Sequence, residues 1–356
     1  MKVCILGDGL TSLSLAKTLV NLGIYVDIFY NKKINKQNNS RTIGITKSNA
    51  EFFNKNILNF KKILWDIKKI EIYSENLKQN KILNFENNDQ IIFSTFKNDD
   101  LYNHLYKYLT KSKFLKFKKN KRDFRIKDQE YNLVINCDNN NLITKKFFYK
   151  KISKNYNSIA YTAIIKHKKI ENNSAMQNFT NLGPIAFLPI SKEETSVVFS
   201  VNGKRNIDLK ALIKKYNKRY QIKKISEFSK FELSSSSLRN YYYKNILAFG
   251  DMLHKLHPLA GQGFNMTVRD IKVLLKIIKN RMDHGLELNS SVCLEFEKDV
   301  KHKNFIFSNG IDFIYEFFNL ERKDKTKTLG NIVQYLGKNK FTNQVFTKFA
   351  DYGLKI

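Results

Sequence analysis

The sequence predicts a two-domain α/β fold, with a βαβ domain of the dinucleotide-binding kind, a β-rich domain inserted into it, and a helical C-terminal segment. Three observations carry that expectation. Gly7, Gly9 and Ser12, spaced G-x-G-x-x-S, fall between an apolar strand and a helix at the start of the chain. A second strand–loop–helix passage, "NILAFGDMLHKLHPLAGQGFNMTVRDIKVLL", gathers Gly250, Gly261 and Gly263 in a chain that holds 14 glycines and 3 prolines among 356 residues. Between the two, residues 155–235 read as successive strands, and strands enclosed by dinucleotide-type segments indicate an insertion.

In chain order, "KVCIL" is the first strand, Leu10, Leu13, Leu15, Leu19 and Leu22 face mostly inward on the first helix, and a second strand follows Gly23. Gly7 permits the tight turn. Gly9 lets backbone N–H groups approach a pyrophosphate, which the positive end of the helix favours, and Ser12 is small enough for close helix–strand packing. The second strand ends in Tyr30, where an acid would hold ribose hydroxyls. "SRTIGITKSN" (40–49) is expected to begin a helix, and "FKNDDLYNHLYKYL" (96–109) to form another with Leu101, Leu105 and Leu109 on one face. "KKIEIYS", "KILNFE" and "NLVINCD", the last ending at Asp138, read as strands, as do "GPIAFLPI" and "TSVVFSV".

Composition bounds the function classes. The 63 basic and 32 acidic residues give a net charge of +31, a field that attracts nucleic acid, anionic lipid or acidic partners. The basic residues are scattered rather than confined to a stripe. Their densest run, "KSKFLKFKKNKRDFRIK" (111–127), reads as a strand with a solvated face, so no specific nucleic-acid partner is expected. Cys4, Cys137 and Cys293 stand far apart with no CxxC pair, which points to a reducing cytoplasm and to neither a disulfide framework nor a zinc site. No apolar run reaches the roughly 18 residues of a membrane span, and no signal or transit peptide is expected because a strand starts at once.

The loop at 250–265 joins an apolar strand to a helix with Val268, Ile271, Leu274, Leu275 and Ile278 at helical spacing. Asp251 at the strand's end can accept hydrogen bonds from a polyol. Gly261 and Gly263 expose backbone N–H groups where the helix presents its positive end, so the site suits a cofactor that becomes anionic. His254-x-x-His257 lacks the spacing of a zinc motif and has no neighbouring carboxylate or cysteine to complete coordination, so no metal is expected.

The pattern formed by Gly250, Asp251, His254, Pro258, Gly261, Gln262, Gly263, Asn265 and Asp270 resembles the second FAD motif of the class A FAD-dependent aromatic monooxygenases. "HKLHPLAGQGFN" looks most like the polyprenyl-phenol hydroxylases of ubiquinone biosynthesis. Further matches are the N-terminal glycine motif, "RTIGIT" with Arg41, the helix at Asn98, and "NFTNLGPIAFLPI". The chain departs from the family's D-G-x-x-S-x-x-R motif after Asp138, where Asn139, Leu142 and Lys145 replace the Gly, Ser and Arg.

The resemblance implies a p-hydroxybenzoate-hydroxylase-like fold. Residues 1–60, 94–150 and 236–290 would form a discontinuous FAD domain, 61–93 and 151–235 the β-rich substrate domain, and 291–356 a helical segment. It implies FAD as cofactor, NAD(P)H as co-substrate, and O2 and a polyprenylated phenol as substrates, with ring hydroxylation through reduced flavin and a C4a-hydroperoxide. Gly7, Gly9, Ser12, Arg41, Asn98, Asp138, Gly250, Asp251, Gly261, Gln262, Gly263 and Asn265 would bind the cofactor. Pro258, Gly261 and Gln262 would border the reacting flavin edge. A class A enzyme for another aromatic substrate, or a non-catalytic lipid-handling subunit of a quinone-synthesis complex, are the alternatives. Aromatic residues in "NFIFSNGIDFIYEFFNL" (304–320), beside the basic "ERKDKTK", lead us to expect peripheral contact with the inner membrane.

Overall fold

The computed structural model describes residues 1–30, 41–75, 80–86, 90–119, 130–203, 207–257 and 261–323. The chain opens with β1 (Lys2–Leu6), α1 (Leu10–Val20) and β2 (Tyr25–Tyr30), the expected βαβ unit. Next come β3 (Thr42–Thr46), α2 (Lys47–Asn56), β4 (Trp65–Ile67), β5 (Lys69–Ser74), β6 (Asn80–Glu86), β7 (Phe93–Lys97) and α3 (Asn98–Leu109). The segment expected to begin a helix at 40–49 is therefore a strand first and a helix only from Lys47. In "TIGIT" two β-branched isoleucines, Ile43 and Ile45, are both buried at a spacing of two, which suits a pleated strand.

The middle of the chain contains β8 (Leu115–Lys119), β9 (Leu133–Asn136), α4 (Leu142–Phe147), β10 (Lys151–His167), β11 (Ser174–Thr180), β12 (Gly183–Pro189), β13 (Glu194–Asn202), α5 (Leu209–Tyr216), β14 (Ile222–Ile225) and β15 (Ser229–Leu238). It closes with β16 (Tyr242–Tyr243), β17 (Ile246–Ala248), β18 (His254–Lys255), α6 (Gln262–Asp283) and α7 (Ser290–Lys323).

Three sheets result. The first has the order β16-β17-β9-β1-β2-β8, parallel except for the β16–β17 edge. Its strands β17, β9, β1 and β2 are near-continuous apolar runs because both faces are covered, and Val3, Cys4, Ile5, Leu133, Val134, Ile135 and Leu247 are fully buried. Asp27 on β2 is the exception. Its carboxylate, almost wholly buried, meets Lys118 Nζ at 2.8 Å, Lys2 Nζ at 3.2 Å and the Tyr131 hydroxyl at 2.8 Å. Burial pushes this carboxyl up, but the bonds from Lys118, Tyr131 and Lys2 outweigh it and leave the group below the ordinary range. The network ties β2 to β1, to β8 and to the approach to β9.

The second and largest sheet runs β18-β15-β10-β13-β12-β11-β5-β6, with β14 added beside β10. It is antiparallel apart from the β11–β5 pair. The third, β3-β7-β4, lies between. β5 and β6 thus share one sheet with the strands from β10 to β15, whereas β4 pairs with β7.

The passage from β17 to α6 crosses from one sheet to another. β17 belongs to the parallel sheet, a single turn follows at Gly250–Met252, and β18 then pairs with β15 of the large sheet before α6 begins. Two changes of direction within a few residues explain why a glycine-poor chain concentrates glycine here. α6 begins at Gln262 and buries Val268, Ile271, Leu274, Ile277 and Ile278 against the parallel sheet and its helices, with Leu275 also buried. α7 packs on α6, burying Val292, Cys293, Phe296 and Val300 in the same core and Phe307, Ile311 and Tyr315 in a smaller one.

Candidate cofactor site

The site is built where β1, β9 and β17 end. At Gly7 the backbone has φ +105°, and a Cβ there would lie 3.5 Å from the Cβ of Asp138 and 3.4 Å from Ser12 Oγ. The turn after β1 and the end of β9 are thereby in contact, and Ser12, fully buried, fills the position of a third glycine without opening the helix–strand packing. Gly250 has φ +67°, and a Cβ on it would meet Thr11 Cγ2 at 2.8 Å, which brings the turn after β17 against the first turn of α1. Only glycine meets both the left-handed backbone and the close approach. The Cys137 thiol lies beside Ser12. Burial, with further push from Asp251 and Asp138, raises it to about 12 although Ser12 pulls it down, so it is an inert neutral group in this corner.

The start of α6 forms the opposite wall. Gly261 takes a left-handed conformation (φ +63°, ψ +26°), and a Cβ on it would lie 3.3 Å from the backbone nitrogen of Gly44 on β3. Asn265 fixes this contact. Its amide donates to the carbonyls of Gly44 (3.0 Å) and Gly261 (3.2 Å), and its oxygen accepts from the Thr46 N–H (2.8 Å) and from Asn49 Nδ2 (3.0 Å). Those four bonds use the amide's two donors and two acceptor positions. Asn265, buried, serves the site by locking the α6 start onto β3 and α2. Below it Phe264 packs edge-on to Phe96 and tilted against Phe53. Gln262 is buried, and its Oε1 accepts from Arg269 at 3.3 Å. Pro258 lies outside the described residues.

Arg41 and Asn98 meet through their backbones, the Asn98 N–H donating to the Arg41 carbonyl at 3.0 Å. Asn98 is buried at the start of α3, and the Arg41 side chain is exposed. One turn along α3, Tyr102 is pushed up to about 12 by burial and then by Asp8, so α3 faces the turn that holds Gly7 and Gly9. The twelve described residues that the sequence singles out for this site are thus grouped around the ends of β1, β9 and β17, the start of α6 and the start of α3.

Whether these residues fit a dinucleotide is answered by the two helix starts. Neither α1 nor α6 has a side-chain cap or an acidic residue in its first turn, so their first N–H groups are left for an anion. Gly9 (φ −74°) and Gly263 have ordinary backbone angles, and a Cβ on either would meet nothing within 4 Å. Neither conformation nor packing demands glycine there, and the space a side chain would fill is kept open at both helix ends. That arrangement fits FAD.

The 138–145 segment has its own construction. The Asn141 side chain caps α4 through the Thr144 N–H at 2.8 Å, Asn141 Nδ2 donates to Asn136 Oδ1 at 2.8 Å, and the Thr144 hydroxyl donates to the Asp138 carbonyl at 2.6 Å. Leu142 and Lys145 are exposed. Sequence reading missed Asn136, Asn141 and Thr144, although an Asn three residues before a Thr at a short helix is a capping pattern. The two histidines, for which the sequence favours a structural role over a metal site, are both buried. His254 Nε2 lies 2.6 Å from Asp270 Oδ2 and Asn304 Nδ2 lies 3.1 Å from Asp270 Oδ1, a fully buried chain joining β18, α6 and α7. His257 is buried between the rings of Tyr156 and Tyr315, with neither ring nitrogen hydrogen-bonded. Among the described residues no group of His, Cys, Asp or Glu could hold a metal ion.

Comparison with known proteins agrees with this geometry. Residues 205–284 match the family described as "FAD binding domain". Among solved structures, the p-nitrophenol 4-monooxygenase PnpA of Pseudomonas putida superposes with a TM-score of 0.80 at 12% identity, covering 99% of this chain and 98% of that one. HpxO of Klebsiella pneumoniae, complexed with FAD and uric acid, gives 0.74 at 12% identity over 98% and 97%. The chain therefore has the fold of the class A FAD-dependent monooxygenases. Its curated sequence relatives include the ubiquinone biosynthesis monooxygenase COQ6 of Danio rerio, 23% identical over 52% of this chain and 48% of that protein. They also include the 3-demethoxyubiquinol 3-hydroxylase of Escherichia coli, 28% identical over 41% and 40%. The chain spans about half the length of the curated relatives it matches. The resemblance read from "HKLHPLAGQGFN" is borne out, and the matches support FAD as the cofactor.

Proposed function

We propose that the chain is an FAD-dependent hydroxylase that adds an oxygen atom from O2 to the ring of a polyprenylated phenol in ubiquinone synthesis, with NAD(P)H as reductant. The observation that carries this reading is the pair of uncapped helix starts at Gly9 and Gly261, each with an open glycine, on the two walls of one site. The names of the curated relatives support the substrate class. Bound flavin would supply the electron transfer and oxygen activation. The protein's part is to hold it: exposed Asp251 to accept hydrogen bonds from ribityl hydroxyls, the turn at Gly7–Gly9 to receive the pyrophosphate, and the α6 start, locked by Asn265, to present N–H groups and a positive dipole end to the reduced ring. Pro258, Gly261 and Gln262 would border the reacting edge.

The test is restoration of ubiquinone in a bacterium lacking one ring hydroxylase. The wild-type gene is expected to restore it, and Asp251→Ala to lose both FAD and rescue. Equal rescue by an Asp251→Ala protein that carries no FAD would favour the second reading, a non-catalytic subunit of a quinone-synthesis assembly. Asn139, Leu142 and Lys145 in place of the family's Gly, Ser and Arg, beside the self-contained Asn136–Asn141–Thr144 arrangement, favour that reading. We place the protein in the cytoplasm, against the inner membrane. Exposed Phe305, Phe313 and Leu320 on α7 support the contact, and no described helix is long and apolar enough to cross a membrane. Recovery in the supernatant with anionic and neutral liposomes alike would refute it.

A further inference from the structure

Asp8 stands between Gly7 and Gly9, in the turn from which the uncapped N–H groups of α1 emerge. Such a turn receives the pyrophosphate of a dinucleotide, which carries two negative charges, and this chain has put a carboxyl in the middle of it. The groups that face Asp8 do not compensate. Asp138, beyond β9, is a second carboxyl, whose own neighbourhood at Cys137 includes Asp251. Tyr102 on α3 offers a phenol. Among the described residues no lysine, arginine or histidine acts on the Asp8 carboxyl, which finds support only from its own backbone N–H. The half-buried carboxyl is already held above the ordinary carboxylate range by burial, and Asp138 adds to this against the pull of that backbone bond.

Resting on the FAD reading above, we propose that Asp8 makes cofactor binding proton-coupled: its carboxyl takes a proton from solvent when the FAD pyrophosphate binds at this turn, and then donates a hydrogen bond where a carboxylate would repel. A group that gains affinity for its proton on binding weakens that binding as pH rises. The effect begins above the carboxyl's value in the free protein and ends at its value in the complex. Within that window one proton changes the dissociation constant by about tenfold per pH unit. No group on FAD itself exchanges a proton between pH 5.5 and 8.5, so the slope reports the protein.

The experiment is titration of the full chain with FAD, followed by quenching of flavin fluorescence, at constant ionic strength from pH 5.5 to 8.5. For the wild type the dissociation constant should rise with pH, at up to about tenfold per unit, across the window between the carboxyl's values in the free protein and in the complex. For Asp8→Asn, which keeps the shape and can donate a hydrogen bond without a charge, it should change by less than about threefold and be the tighter of the two at pH 8. Calorimetry in buffers of different ionisation enthalpy should register proton uptake for the wild type and none for Asp8→Asn. Equal slopes in the two proteins, or weaker binding by Asp8→Asn across the range with unchanged circular dichroism, would overturn the proposal. Saturable FAD binding with no pH dependence would overturn it while leaving the FAD reading intact, whereas no saturable binding at any pH would overturn both.

Discussion

Replacing Asn265 by alanine should cost the fold more than any surface change and should cost the cofactor site more still. The side chain makes four buried hydrogen bonds, to the Gly44 and Gly261 carbonyls and from the Thr46 N–H and Asn49 Nδ2, at 2.8 to 3.2 Å. At about 1 kcal/mol net for each bond, the direct loss is roughly 4 kcal/mol, and an N–H left without a partner at buried Thr46 costs about 1–3 kcal/mol when water cannot reach it. Partial rehydration of the carbonyls offsets part of this, which leaves an expected destabilisation of about 3–5 kcal/mol. Urea unfolding of the apo protein, followed by far-ultraviolet circular dichroism, measures it. FAD affinity should fall in parallel, because the left-handed Gly261 would no longer be held against Gly44. A variant within about 0.5 kcal/mol of the wild type, the range of an ordinary surface substitution, would refute the reasoning.

Gly250→Ala should destabilise the protein by at least about 1–2 kcal/mol, because alanine at φ +67° carries the left-handed penalty and its Cβ would stand 2.8 Å from Thr11 Cγ2. Unchanged unfolding and unchanged FAD retention would contradict the proposed contact between the β17 turn and α1. His257, pushed down to about 4 by burial with help from Lys154, is neutral in the folded protein near neutrality and becomes easier to protonate on unfolding. Its contribution to stability is therefore fully present above the ordinary histidine value near 6.5 and is lost as pH falls towards 4, by about 3 kcal/mol in all. In His257→Phe that part of the acid loss should vanish, since two ring nitrogens without partners are replaced by a hydrocarbon ring, and identical profiles of stability between pH 4 and 7 would rule the assignment out.

Several features of this architecture were legible in the sequence because each rests on a local rule. The βαβ start follows from leucines at helical spacing after a glycine turn. The large sheet follows from alternating apolar residues, and the α6 start follows from glycines that have no other use. "TIGIT" misled because the helix that follows it extends the same polar–apolar mixture, so that the short alternation of Ile43 and Ile45 is decided by pairing with β7. The His254–Asp270–Asn304 chain joins residues 16 and 34 positions apart on three elements, a separation no spacing rule reports. Asn265 carried a signal, the motif itself, but its partners on β3 and α2 lie more than 200 residues away, so a residue expected to touch the cofactor is one that holds the wall of its site. The Asn136–Asn141–Thr144 arrangement was hidden for the opposite reason: in an asparagine-rich chain three more polar residues do not stand out.

The central claim is that this chain transfers oxygen from O2 to a phenolic ring through a bound flavin. Its most direct test is turnover of a short-chain polyprenyl phenol by the FAD-loaded protein with NAD(P)H under 18O2, with mass spectrometry of the product. One 18O atom in the hydroxylated ring is expected, with none from labelled water and none formed by Asp251→Ala. A flavin-loaded protein that oxidises NAD(P)H without labelling the ring, or that leaves the phenol unchanged, would contradict the account.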